Sequence, residues 1–196
     1  AILTQFVLMI LNREVSLAES IIRFFSYFTI TTNLLVAIYF TSIVFPKKTG
    51  WRNSLRLGGG ATAITTYILI VGIIYQALLK DLWQPTGLHL LVNQLLHGII
   101  PLYMLAYWIA TIRYQNLGWK SVYSWLLYPI AYLLFALSRG YVSNFYPYPF
   151  LDMKKIGLLQ TAINIGLIAL GTIVMLTLLI VIGKTIQRFA KPIVQQ

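Results

Sequence analysis

The sequence contains no cysteine, and only four of its 196 residues are acidic. Without cysteine there is no disulfide, no thiolate metal site and no cysteine nucleophile. The compartment stays open, because nothing can be oxidised. Charge is scarce altogether: charged residues are 10% of the chain, against about 25% in a soluble domain. The hydrophobic share is 59%, and mean hydropathy is +0.78. A soluble body of this size cannot hide so much apolar surface. An ordinary soluble enzyme, a disordered chain and a small secreted scaffold are excluded.

What the chain does have is long apolar runs. Roughly 20 helical residues cross about 30 Å of hydrocarbon. Five runs reach that length, near 20–45, 58–79, 88–112, 121–143 and 157–186. Residues 1–12 form a sixth apolar segment that is too short, expected to be the C-terminal part of a helix starting before residue 1. The connections are short and no internal repeat or linker is visible. The expected fold is therefore an all-α polytopic transmembrane bundle of six helices, the first partial, in a single transmembrane domain over 1–196.

Fifteen Lys and Arg against four acids give a net charge of +11. Nine of the basic residues fall on one side of the expected bundle: Lys47, Lys48, Arg52, Arg56, Arg113, Lys120, Lys184, Arg188 and Lys191. The other side carries Arg13, Arg23, Lys80, Arg139, Lys154 and Lys155, with all four acids, Glu14, Glu19, Asp81 and Asp152. Loops rich in Lys and Arg stay in the cytoplasm, so both termini are expected there. Anionic lipid is then a sufficient partner for the basic charge, and no nucleic acid is implied.

Polar groups are costly in hydrocarbon and usually face the bundle interior. Thr29 and His97 each lie nine residues into a run from the less basic side, about 13 Å deep. Asn164 sits at a similar depth. At 100° per residue, Ser26, Thr29, Thr32 and Asn33 share a stripe; so do Asn93, His97, Pro101 and Trp108. Gln160, Asn164 and Gly171 form a third stripe, and Tyr128, Tyr132, Phe135 and Arg139 a fourth. Together they predict a polar, aromatic-walled cavity opening outward or sideways to the outer leaflet. An intramembrane Thr ordinarily bonds back to its own helix, and Asn93 and Asn164 equally suit inter-helix bonding. His97, ionisable at that depth, points to function. Arg139 either reaches the headgroups or binds an anion. Ala162 and Gly166 suit close helix packing, as does the triple glycine Gly58–Gly60. Tyr and Trp at the helix ends are expected interface anchors.

Three segments carry a resemblance: FFSYFTITTNLL at 24–35, LLHGIIPLYMLAYW at 95–108 and RGYVSNFYPYPFLD at 139–152. They resemble bacterial six-helix integral membrane proteins similar to the androgen-induced-gene family, membrane threonine hydrolases of fatty acid esters of hydroxy fatty acids. The resemblance covers most of the chain and implies a bacterial plasma membrane. In that family an intramembrane threonine and histidine form the catalytic pair. Thr29, a turn before Asn33, and His97, a turn before Pro101, match them. The family's threonine spacing is one residue shorter, which brings Thr32 into the same comparison. Its Tyr-Pro-Phe-Leu-acid segment corresponds to Tyr148 through Asp152.

The resemblance implies attack by Thr29 Oγ1 on an ester carbonyl, with His97 as general base. Asn33, Asn93 and Asn164 are the candidate oxyanion donors. No carboxylate lies within the runs, so Asp152 would have to fold inward to complete a triad. A dyad is expected instead. The acyl chain of an amphiphilic lipid ester would lie against Tyr128, Tyr132 and Phe135, with its carboxylate on Arg139. The 144–153 loop reads as a cap stiffened by Pro147 and Pro149, or as a lid. No metal or other cofactor is implied, since His89 and His97 sit at different depths with no intramembrane acid beside them. Two other readings use the same residues: a transporter or lipid-binding carrier, and a structural subunit in which the polar layer only joins helices.

Overall fold

A computed structural model of the chain describes residues 1–45, 59–115, 117–119 and 123–189. Where the apolar runs are uninterrupted they form helices, seven among the described residues. They are α1 (Ile2–Leu11), α2 (Leu17–Phe25), α3 (Phe28–Val44), α4 (Gly60–Leu82), α5 (Gly87–Tyr114), α6 (Ser124–Ser143) and α7 (Met153–Phe189). Helices α4 to α7 are long and apolar enough to cross a membrane, and α2 with α3 makes a fifth candidate span if the pair is counted as one.

The run at 20–45, expected as one helix, is two helices bent by 70° at Ser26–Tyr27. No proline or glycine causes the bend. Side chains take the backbone groups it frees. The Ser26 hydroxyl donates to Ile22 O at 2.7 Å, and the Tyr132 hydroxyl donates to Ser26 O at 2.8 Å. Such bonding to a carbonyl one turn back bends helices, and broken segments persist in lipid only when neighbours satisfy them.

Helix α4 is the hub. Ala61, Ile64, Tyr67 and Ile68 are buried, and so are Thr62, Thr65 and Thr66 on its remaining sides. A helix apolar all round is one enclosed by others. Its threonines stay satisfied: Thr65 and Thr66 bond back to Ala61 O and Thr62 O, and Trp108 Nε1 donates to Thr62 Oγ1 at 2.9 Å. Helices α3, α5 and α7 pack around it, with Met104, Trp108, Leu176 and Ile180 filling the core.

Helix α6 stands off from α4 on aromatic rings. Tyr128 meets Phe28 and Tyr67 at centroid distances of 5.3 Å, and Tyr132 meets Phe28 at 4.8 Å. Ala162 and Gly166 are exposed, and a Cβ at Gly166 would meet nothing within 4 Å, so among the described residues no helix packs closely there, contrary to expectation. Their face of α7 points away from the bundle.

Alternation of the spans sorts the charges. Gln187 at the end of α7 donates to Ile112 O and Gln115 O at the end of α5, which puts Arg113, Lys184 and Arg188 together. Glu19, Arg23 and Arg139 meet at the opposite end. Lys47, Lys48, Arg52, Arg56, Lys120 and Lys191, and Gly58 of the triple glycine, lie outside the described residues.

Candidate functional site

The bend between α2 and α3 puts Thr29 on the first turn of a helix. The first N–H groups of a helix have no partner within it. The Thr29 N–H finds one across the bundle, donating to Tyr148 Oη at 3.2 Å. Other threonines, among them Thr41, Thr65 and Thr172, bond to the carbonyl four residues back. The hydroxyl of Thr29 instead lies 3.3 Å from His97 Nε2 and 3.4 Å from Tyr148 Oη. Thr32, the alternative register, is engaged elsewhere: its hydroxyl sits 3.0 Å from Tyr128 Oη.

His97 is positioned by a π-helical turn, Leu95–Ile99, in α5. Such turns often mark functional sites. Pro101 has no N–H to offer His97 O. That carbonyl faces Gly72 of α4, where a Cβ would come within 3.0 Å of it. A second π-helical turn, Tyr75–Leu79, lies opposite in α4, and the Tyr75 ring stacks on His97 at 4.1 Å and 20°.

The tautomer follows from the partners. His97 Nδ1 is 3.0 Å from Asn93 O, and a carbonyl only accepts. Nδ1 therefore carries the proton, and in the neutral ring Nε2 offers its lone pair to the Thr29 hydroxyl. This is the arrangement a general base requires.

Each of the three asparagines donates to a neighbouring group. Asn33 Nδ2 donates to Thr29 O at 2.8 Å and to Leu96 O at 3.3 Å, tying α3 to α5; its Oδ1 is buried without a partner. Asn93 Nδ2 donates to the Tyr75 hydroxyl. Asn164 lies apart from the pair, donating to Phe150 O at 3.1 Å and so holding the 144–152 segment against α7.

A cavity of about 250 Å³ opens beside Thr29. Thr29, Tyr67, Tyr132, Tyr148 and Thr172 are among the residues that line it, and the rest are apolar, chiefly from α4, α6 and α7. The standoff of α6 creates the space. Tyr132 lines it; Tyr128 does not, its hydroxyl donating to Thr31 Oγ1 at 2.9 Å. His97 lies outside the wall, and so does Phe135, which is exposed.

Arg139 is not on the cavity wall either. It pairs with Glu19 Oε1 at 2.6 Å, and Arg23 shares that oxygen at 2.8 Å. Both guanidinium groups lie over the Phe145 ring. Asp152 stays outside the bundle interior. Its Oδ1 accepts from Lys154 N and Lys155 N at 3.2 and 3.3 Å, capping the first turn of α7, and its Oδ2 is 3.7 Å from Lys155 Nζ.

Sequence reasoning missed Tyr75, and named Tyr148 only as part of the resembling segment, with no role in the site. Depth counting extended from amides and hydroxyls of Ser and Thr to tyrosine would have brought Tyr75 forward. Tyr148 lies outside every apolar run, so depth counting had no purchase on it. Burial pushes its hydroxyl up to about 12, which keeps the phenol protonated. Among the described residues, no group of three or more His, Cys, Asp or Glu could hold a metal ion.

The architecture is that of an all-helical protein with four or five helices able to span a membrane, as in an integral membrane protein. Compared with family models, curated proteins and solved structures, the chain finds no match.

Proposed function

We propose that this chain is an integral membrane hydrolase of fatty-acyl esters, of the hydroxy fatty acid ester type, using Thr29 as nucleophile and His97 as general base. The observation that carries this reading is the 3.3 Å approach of Thr29 Oγ1 to the lone-pair nitrogen of His97. Threonine is a weak nucleophile until a base takes its proton. As Oγ1 bonds to the ester carbon, its proton passes to Nε2. The tetrahedral species collapses when Nε2–H protonates the departing alkoxide. Water, deprotonated by the same nitrogen, then releases the fatty acid and restores Thr29. The Nδ1–H bond to Asn93 O holds the ring in register and stabilises the charged imidazolium, so no carboxylate is needed.

The apolar cavity supports an acyl chain as the bound group, and the resemblance to the androgen-induced-gene family supports the same chemistry. With α2 and α3 counted as one span and α1 counted beside the five, the helices suit that family's six. The nine Lys and Arg that the sequence assigns to the side of Arg113, Lys184 and Arg188, against six at the Thr29 end, support cytoplasmic termini, and the family resemblance supports a bacterial plasma membrane. The Glu19 pairing favours a structural role for Arg139 over binding of the substrate carboxylate.

Hydrolysis of a long-chain fatty acid ester of a hydroxy fatty acid by purified protein in detergent tests the reading. Wild type releases fatty acid, while Thr29→Ala and His97→Ala, with melting temperatures near wild type, lose at least ~100-fold in rate. An inert wild type that binds the ester without cleaving it would favour the carrier instead.

A further inference from the structure

We infer that the Tyr148 hydroxyl is the oxyanion donor of this site, an assignment that rests on the hydrolase reading. Negative charge develops on the carbonyl oxygen as Thr29 Oγ1 bonds to the ester carbon. That oxygen needs a donor fixed beside it before the reaction begins. None of the three asparagines lines the cavity, and each is aimed at another group. Both Asn33 amide contacts go to backbone carbonyls, Asn93 Nδ2 goes to Tyr75, and Asn164 Nδ2 goes to Phe150 O. The N–H of Thr29 itself already donates to Tyr148 Oη.

That last bond makes Tyr148 suited to the task. Its oxygen accepts from Thr29 N–H at 3.2 Å, so its own proton is directed elsewhere. Thr29 Oγ1 is 3.4 Å from Tyr148 Oη, and both residues face the cavity where the acyl group would lie. In the tetrahedral species the oxyanion is joined to Oγ1 through a single carbon. A rotation of the phenol O–H brings its proton from Oγ1 to that oxygen. No proton is transferred from Tyr148; it donates a hydrogen bond while the Thr29 proton resides on His97. The start of α3 adds the positive end of its dipole at the same point.

The ring is held in advance. Tyr148 stacks on Phe150 at 5.1 Å and 5°, packs against Tyr27 at 5.9 Å, and lies between Pro147 and Pro149. A donor that need not reorganise is worth most in a dry site.

The test compares wild type, Tyr148→Phe and Thr29→Ala in ester hydrolysis and in inhibition by a long-chain trifluoromethyl ketone. The ketone's adduct with Thr29 carries the oxyanion, whereas bound substrate does not. Tyr148→Phe is expected to lose ~10²-fold in kcat with little change in KM, and to bind the ketone more weakly by a similar factor. Thr29→Ala is expected to be inactive. If Tyr148→Phe keeps both the wild-type kcat and the ketone affinity while Thr29→Ala is inactive, Tyr148 is not the donor and the hydrolase reading stands. If wild type and Thr29→Ala release fatty acid equally, the hydrolase reading fails and this assignment with it. Should Tyr148→Phe not fold, 3-fluorotyrosine at 148 keeps the ring and makes the phenol a stronger donor. A raised kcat then supports the assignment, and an unchanged one overturns it.

Discussion

Two bonds beside Thr29 fix which lone pair and which proton are free. Asn93 O accepts from Nδ1, so Nε2 holds the lone pair that the proposed base would use; Tyr148 Oη accepts from Thr29 N, so its own proton points elsewhere. Asn33 joins α3 and α5 at this layer through two backbone carbonyls. Asn33→Ala removes the bond that crosses to Leu96 O, a cost of ~1–3 kcal/mol. A lowered melting temperature, together with a slower ester hydrolysis that reflects a shifted Thr29, is the expected outcome. Unchanged stability would contradict a joining role. His97 was legible in the sequence as a polar residue counted inward along an apolar run; the same count singled out Thr29, although the single helix it assumed is bent at Ser26–Tyr27. Arg139 was misleading for a physical reason. Its partner Glu19 lies on another helix, and spacing along the chain cannot pair residues so far apart.

At the scale of the element, two local irregularities build the site. The bend at Ser26–Tyr27 supplies a helix start inside the bundle, and the facing π-helical turns bring Tyr75 over His97. Neither was legible. The bend has no proline or glycine, and it persists because Tyr132 and Tyr148, from distant segments, take its backbone groups. A helix period read from sequence assumes those groups bond within the helix. Gly72 is the contact that seats α5: any side chain there meets the His97 carbonyl. Gly72→Val pushes the π-helical turn away from α4 and lengthens the Thr29–His97 approach. Loss of ~10²-fold in kcat is expected, since misplacement by about 1 Å can cost that much. A wild-type rate in Gly72→Val would show that α5 is positioned by something else.

The whole molecule is a hub helix ringed by others, with one neighbour held off on aromatic rings. In lipid, packing and hydrogen bonds rather than the hydrophobic effect hold helices together. A gap on the α6 and α7 side is therefore tolerable, and it is where the proposed acyl chain would lie. Ala169 of α7 lines that gap. Ala169→Phe fills it, so kcat/KM for a long-chain ester is expected to fall ~10-fold or more, while a short-chain ester is cleaved as before. Equal losses on both would place the acyl chain elsewhere. The apolar runs made the span-forming segments legible, but the cavity depends on ring contacts between α3, α4 and α6 that no periodicity encodes. The central claim, that Thr29 is a nucleophile activated by His97, is tested most directly by intact-mass analysis after incubation with a long-chain fluorophosphonate. The account predicts a single covalent adduct on wild type, mapped to Thr29, and none on Thr29→Ala or His97→Ala. An adduct forming equally on Thr29→Ala, or none on wild type, would contradict it.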